Sequence, residues 1–152
     1  MRKVYLDLEN TLSTASDRQL GVHMTPGHVL LLNELLPIRG LKLILVGKEA
    51  QKISTPTWAL NKLGNKLSIR TKRVLLKVYG PYIHGVGYSP KTFKTYGEAV
   101  TYDAQQYSKK PKWVYLSADA AQFAKPNPNW IWVDPTYGLT PKIMEQVKHA
   151  LA

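Results

Sequence analysis

The stretch Val4-Tyr5-Leu6-Asp7-Leu8-Glu9-Asn10-Thr11-Leu12 decides how this chain is read, because a short apolar run ends abruptly in two carboxylates one residue apart. Such a run suits a buried strand, here Lys3 to Leu8, and in an open α/β sheet ligands bind in the crevice beyond the carboxyl ends of the strands. Asp7 is thereby aimed at the place where a site is expected. The other use of Asp7 and Glu9 is solvation of a turn.

Outward from this stretch, further runs of strand length follow at Leu41 to Val46, Trp113 to Ser117 and Trp130 to Val133, with Tyr82 to Val86 a weaker candidate. Four pairs punctuate the chain: Thr25-Pro26, Thr55-Pro56, Ser89-Pro90 and Thr140-Pro141. In each, the hydroxyl can accept an orphan N–H while Pro supplies the helical φ at the first position, which predicts helices starting near residues 26, 56, 90 and 141. The first carries Val29, Leu30, Leu32, Leu35 and Leu36, ends near Pro37, and passes through Arg39-Gly40 into the second strand. Strands alternating with helices imply βαβ units, hence a three-layer, Rossmann-like α/β fold with a mostly parallel sheet. Leu67 to Tyr79 fits two periods, since Leu67, Ile69 and Thr71 alternate whereas Val74, Leu75 and Val78 suit a helical face, and it is left without an assignment. Neither repeats nor a linker interrupt the 152 residues, so a single domain over 1–152 is expected.

Apolar residues make up 44% of the chain, with four Trp and nine Tyr, which excludes a disordered polymer. The absence of Cys excludes disulfide staples and thiolate metal sites and fits a reducing, cytoplasmic compartment. The N-terminal apolar run is too short for a secretory leader, and no stretch approaches the length of a membrane span. His23, His28, His84 and His149 show no metal-ligand spacing.

The formal charge is +11, and no acidic residue occurs from Ala50 to Gly97, an interval holding nine Lys and Arg. An unbroken basic segment is the footprint of a polyanion binder, which makes Lys66, Arg70, Lys72 and Arg73 candidate nucleic-acid contacts. Its other use is a solvated face. Tyr79, Tyr82, Tyr88, Phe93, Tyr96, Tyr102 and Tyr107 lie beside or within the same half, where they suit either base stacking or core packing.

The opening resembles the first motif of the haloacid dehalogenase-like (HAD) phosphohydrolases, Asp-x-Asp-x-Thr after an apolar strand, with Glu9 in place of the second Asp. The resemblance implies a nucleophilic role for Asp7, an acid role for Glu9 and Mg²⁺ as cofactor. Gly40 to Val46 looks like the family's second-strand segment, but Gly47, Lys48 and Glu49 stand where a phosphate-binding hydroxyl is usual. Thr11, Gly47 and Lys48 are then the phosphate-binding candidates. Lys91 and Lys94, after Ser89-Pro90, match the family's helix-start Lys, which stabilises phosphoryl charge. Trp113 to Asp119 looks like the strand-end motif that holds Mg²⁺ with one acid lost, leaving Asp7 and Asp119 as metal ligands. Mg²⁺ needs only one or two protein carboxylates beside water and phosphate. Trp130-Ile131-Trp132-Val133-Asp134-Pro135-Thr136-Tyr137-Gly138-Leu139-Thr140 resembles the ending of HAD domains associated with RNA-repair proteins. The implied protein is a capless HAD-like, Mg²⁺-dependent phosphohydrolase, or a degenerate relative, acting on phosphorylated substrate such as nucleic acid.

The same residues also resemble NYN/PIN-type metal-dependent ribonucleases, through Asp7-Leu8-Glu9-Asn10, the strand-end Ser117-Ala118-Asp119 and Phe123. That resemblance implies an acidic cluster of Asp7, Asn10, Glu98 and Asp119. Glu98 discriminates, because two-metal chemistry needs a further carboxylate converging on the site. A binding module on a HAD-like fold, without turnover, is the third expectation.

Overall fold

The computed structural model of the chain describes residues 2–7, 10–12, 14–19, 26–35, 37–46, 75–79, 82–83, 91–92, 95–105, 112–119 and 127–152. Its centre is a five-stranded sheet built from β1 (Arg2–Asp7), β2 (Leu41–Val46), β3 (Leu75–Tyr79), β6 (Lys112–Ser117) and β7 (Trp130–Trp132). The order is β3-β2-β1-β6-β7 and every neighbouring pair is parallel. A separate antiparallel ribbon joins β4 (Tyr82–Ile83) to β5 (Lys91–Thr92). The helices are α1 (Ala15–Gln19), α2 (Pro26–Leu31) with a 3₁₀ turn over Leu32–Leu35, α3 (Tyr96–Gln105) and α4 (Pro141–Leu151). This is the Rossmann-like α/β architecture expected from the alternation of elements.

β1 is the middle strand, and Lys3, Val4, Tyr5 and Leu6 are all buried because helices cover both of its faces. On one face Val4 and Leu6 pack with Leu43, Val114 and Leu116 against Leu32 and Leu35 of the 3₁₀ turn and Met144, Val147 and Leu151 of α4. On the other, Tyr5, Ile44, Val46 and Tyr115 pack against Ala99, Val100 and Ala104 of α3. Small residues on α3 let it approach the large tyrosines closely, and Trp113 meets Tyr5 edge-on with ring centroids 6.0 Å apart.

The α3 face also buries charge. Lys3 Nζ lies 3.3 Å from Asp103 Oδ2, with 1% and 2% of the two residues exposed, and the Tyr5 hydroxyl donates to the same carboxylate oxygen at 2.5 Å. Nζ also lies 5.8 Å from the centroid of the Tyr5 ring. Burial pushes the Lys3 ammonium below its ordinary value, and the Asp103 carboxylate partly restores it.

The helix starts at Pro26 and Pro141 appear as expected. Thr140 has extended backbone, its hydroxyl accepts the Ile143 N–H at 3.3 Å, and Lys148 and His149 occupy the last turn of α4, where cations complement the dipole. The start expected near residue 56 lies outside the described residues. Just after the start expected near residue 90, Lys91 and Thr92 pair with Ile83 and Tyr82, and the described helix begins at Tyr96. There Thr95 accepts the Glu98 N–H at 3.2 Å, half of the reciprocal Thr-x-x-Glu cap that this segment spells. The strand beside β2 comes from Leu75–Tyr79, the stretch that fits either period, whereas Tyr82–Ile83 belongs to the small ribbon. On the first expected helix Leu32 and Leu35 are buried but Leu30 is exposed.

Candidate functional site

The chain builds β1, β2 and β3 outward in one direction, then crosses to the other side of β1 for β6 and β7. The strand order therefore reverses between β1 and β6, and the crevice at their carboxyl ends is where such sheets place ligands. Asp7 ends β1 and Ser117 ends β6 at that point.

Register fixes which side chains meet there. Tyr5 pairs with Tyr115 and Leu6 with Leu116, so Asp7, Tyr115 and Ser117 lie on one face of the sheet. The Tyr115 hydroxyl donates to Asp7 Oδ1 at 2.7 Å and the Ser117 hydroxyl donates to Asp7 Oδ2. Ser117 Oγ also accepts the Asp119 backbone N–H at 3.2 Å, which ties the exposed Asp119 to the same centre. Burial, followed by the charge of Asp7, raises the Tyr115 phenol far above its usual range, and the Asp119 charge acts in the same direction. Tyr115 is thus a fixed proton donor to one Asp7 oxygen, and Ser117 donates to the other. A carboxylate oriented in this way is suited to ligate a cation or attack an electrophile.

The turn after β1 is locked from below. Asn10 adopts φ 63°, a left-handed conformation that Asn tolerates, and the Thr11 hydroxyl donates back to the Asp7 carbonyl. The Thr11 carbonyl in turn accepts the Leu139 N–H at 2.9 Å. Gly138, at φ 66°, lies so close that a Cβ there would stand 2.8 Å from Thr11 O. The segment following β7 is therefore pinned to the turn that follows Asp7.

Of the residues singled out from sequence, Asp7 and Asp119 are linked by Ser117, whose hydroxyl donates to the Asp7 carboxylate and accepts the Asp119 backbone N–H. Thr11 is fully buried and its hydroxyl donates to the Asp7 carbonyl, so it shapes the turn. Lys91 lies on β5 rather than at a helix start, because ribbon pairing prevails over the Ser89-Pro90 cap signal. Glu98 is exposed in the first turn of α3, and among the described residues no group of three His, Cys, Asp or Glu side chains can hold a metal ion. Glu9, Gly47, Lys48, Lys66, Arg70, Lys72, Arg73 and Lys94 lie outside the described residues. Sequence reasoning missed Tyr115, whose signal was the two-residue alternation that puts it on the face of Ser117. Among the described residues no helix is long and apolar enough to cross a membrane.

Comparison of the chain with protein-family models, with curated proteins and with solved structures gives no match.

Proposed function

We propose that the chain is a HAD-like phosphohydrolase without a cap, centred on Asp7, with Mg²⁺ held by Asp7 and Asp119 and a phosphorylated nucleic acid as substrate. One observation carries this reading: Asp7 ends the middle strand where the strand order reverses, with the Ser117-Asp119 strand end bonded to it. The stretches quoted for the resemblance also touch, since the segment after β7 docks on the turn after β1 through Leu139 and Thr11.

The donor set fits a hard cation. Asp7 and Asp119 would supply carboxylate oxygens, since Mg²⁺ commonly takes one or two carboxylates with water and substrate phosphate completing its shell. When bound it neutralises phosphate charge. Asp7, oriented by Tyr115 and Ser117, presents a carboxylate oxygen to phosphorus; the P–O bond to the leaving group breaks as the Asp7–phosphorus bond forms, and water then hydrolyses the acyl phosphate. Glu9 is the residue assigned to protonate the leaving group. Lys94 remains the assigned phosphoryl-stabilising cation, since Lys91 lies in the ribbon. The hydroxyl bonds on both Asp7 oxygens withdraw electron density from the nucleophile, so turnover is expected to be slow.

The NYN/PIN-like nuclease alternative uses the same contact, the Ser117 hydroxyl linking Asp7 to the Asp119 backbone within the Ser-x-Asp strand end, and requires Glu98 in addition. Trapping separates the two. Incubation with Mg²⁺ and beryllofluoride, or with a phosphomonoester, should yield an adduct on Asp7 that Asp7→Asn abolishes and Glu98→Gln preserves. Phosphodiester cleavage that requires Glu98, without an adduct, would replace the phosphohydrolase reading with the nuclease one. Neither adduct nor cleavage would leave a binding module.

A further inference from the structure

The row of side chains at the carboxyl edge continues beyond the acids. Ser117 pairs in register with Trp132, so Trp132 projects from the same sheet face as Ser117 and Asp7. It stands two strands from Asp7, roughly 10 Å at ordinary strand spacing. Its indole N–H donates to the Ala118 carbonyl at 3.2 Å, which anchors one edge of the ring beside the Ser117-Asp119 strand end. Trp113 and Trp130, on the same face but nearer the amino ends of the strands, pack against the Tyr5 cluster, whereas Trp132 is 53% exposed. A large apolar ring held by its polar edge and left open to solvent, on the sheet face that carries Asp7, is not explained by core packing.

We propose that Trp132 is a base-stacking platform: the terminal nucleotide of a single nucleic-acid strand sets its phosphate at Asp7 and its base on the indole, the sugar spanning the gap. The assignment of phosphate to Asp7 rests on the phosphohydrolase reading. The strand is favoured over a free nucleotide by charge, because the chain carries +11 and an acid-free interval from Ala50 to Gly97, far more than one phosphate requires. Stacking tolerates any base, so the platform recognises a strand end without reading its sequence.

The test is binding of a single-stranded tetranucleotide whose terminal phosphate is replaced by a non-hydrolysable phosphonate, compared with the same strand carrying an abasic terminal residue. Trp132→Ala should weaken the complete strand by about 5- to 150-fold, the range for loss of one stacked base. It should leave the abasic strand unchanged, and Trp132→Phe should retain most of the affinity. Unchanged melting temperature confirms that the exposed position leaves the fold intact. The complete strand should also bind more tightly, and with steeper salt dependence, than a nucleoside monophosphate. Equal affinity of wild type and Trp132→Ala for the complete strand overturns the platform, as does equal weakening of complete and abasic strands or no binding by wild type. A monophosphate bound as tightly as the strand overturns the strand end as ligand. Trp132-dependent binding without an Asp7 adduct would remove the phosphohydrolase reading alone; an adduct without Trp132 dependence would remove the platform alone.

Discussion

Replacing Asp103 by Asn removes the carboxylate that faces Lys3 while keeping its size. Lys3 and Asp103 are almost wholly buried, so the variant leaves an ammonium in the α3 face of the core without its counter-charge. Breaking a buried pair from one side costs about 3–5 kcal/mol. Against a typical total of about 5–15 kcal/mol this is a large fraction. At about 2–4 °C per kcal/mol for a chain of this length, the melting temperature should fall by roughly 6–20 °C. The remedy is not simply to remove both charges. The Tyr5 hydroxyl also donates to Asp103, so Lys3→Met with Asp103→Leu strands that hydroxyl, at about 1–3 kcal/mol. Adding Tyr5→Phe should recover most of the loss. The pH dependence has a definite sign. Burial lowers the folded-state value of Lys3 below 10.5, so between the two values the unfolded chain binds more protons and stability rises with pH. Asp103 opposes the shift; in Asp103→Asn the rise should therefore begin at lower pH and be larger than in wild type. Urea unfolding followed by far-ultraviolet circular dichroism from pH 7 to 10 measures both effects. A loss under about 1 kcal/mol at pH 7, with no change in the pH slope, would refute the view that this pair is buried and mutually dependent.

The metal and the turn give separate tests. If Asp7 and Asp119 hold Mg²⁺, the ion should stabilise the fold by about 2.7 kcal/mol at a hundred times its dissociation constant. Differential scanning fluorimetry should show this rise in wild type and its loss in Asp7→Asn and Asp119→Asn; a melting curve unmoved by Mg²⁺ in all three counts against the site. Gly138→Ala forces a side chain into a left-handed conformation and against the Thr11 carbonyl, for a loss on the order of 1–3 kcal/mol. Because Thr11 also bonds to the Asp7 carbonyl, adduct formation should slow along with it. Wild-type stability in thermal melts would show that the segment after β7 is not pinned there.

What the sequence determined by itself is the part governed by neighbours along the chain. The strand Leu41–Val46, the Thr140 cap of α4 and the placement of Asp7 at a strand end follow from short-range rules: apolar runs of strand length, a hydroxyl before Pro, and a run that stops at an acid. Where local signals conflict, tertiary pairing decides. Leu75–Tyr79 becomes a strand because β2 offers an open edge, and Lys91 joins a ribbon because Ile83 lies opposite, although Ser89-Pro90 spells a helix start. The site shows the same division. Asp7 and Asp119 are legible as acids near strand ends, but the hydroxyls of Tyr115 and Ser117 on Asp7 exist only because β6 lies beside β1 in one register. Lys3 and Asp103 meet only because α3 covers the middle strand, and Trp132 is exposed on β7, the outer strand beside β6. Strand order and face are set by contacts between residues distant along the chain, so no local window of residues contains them.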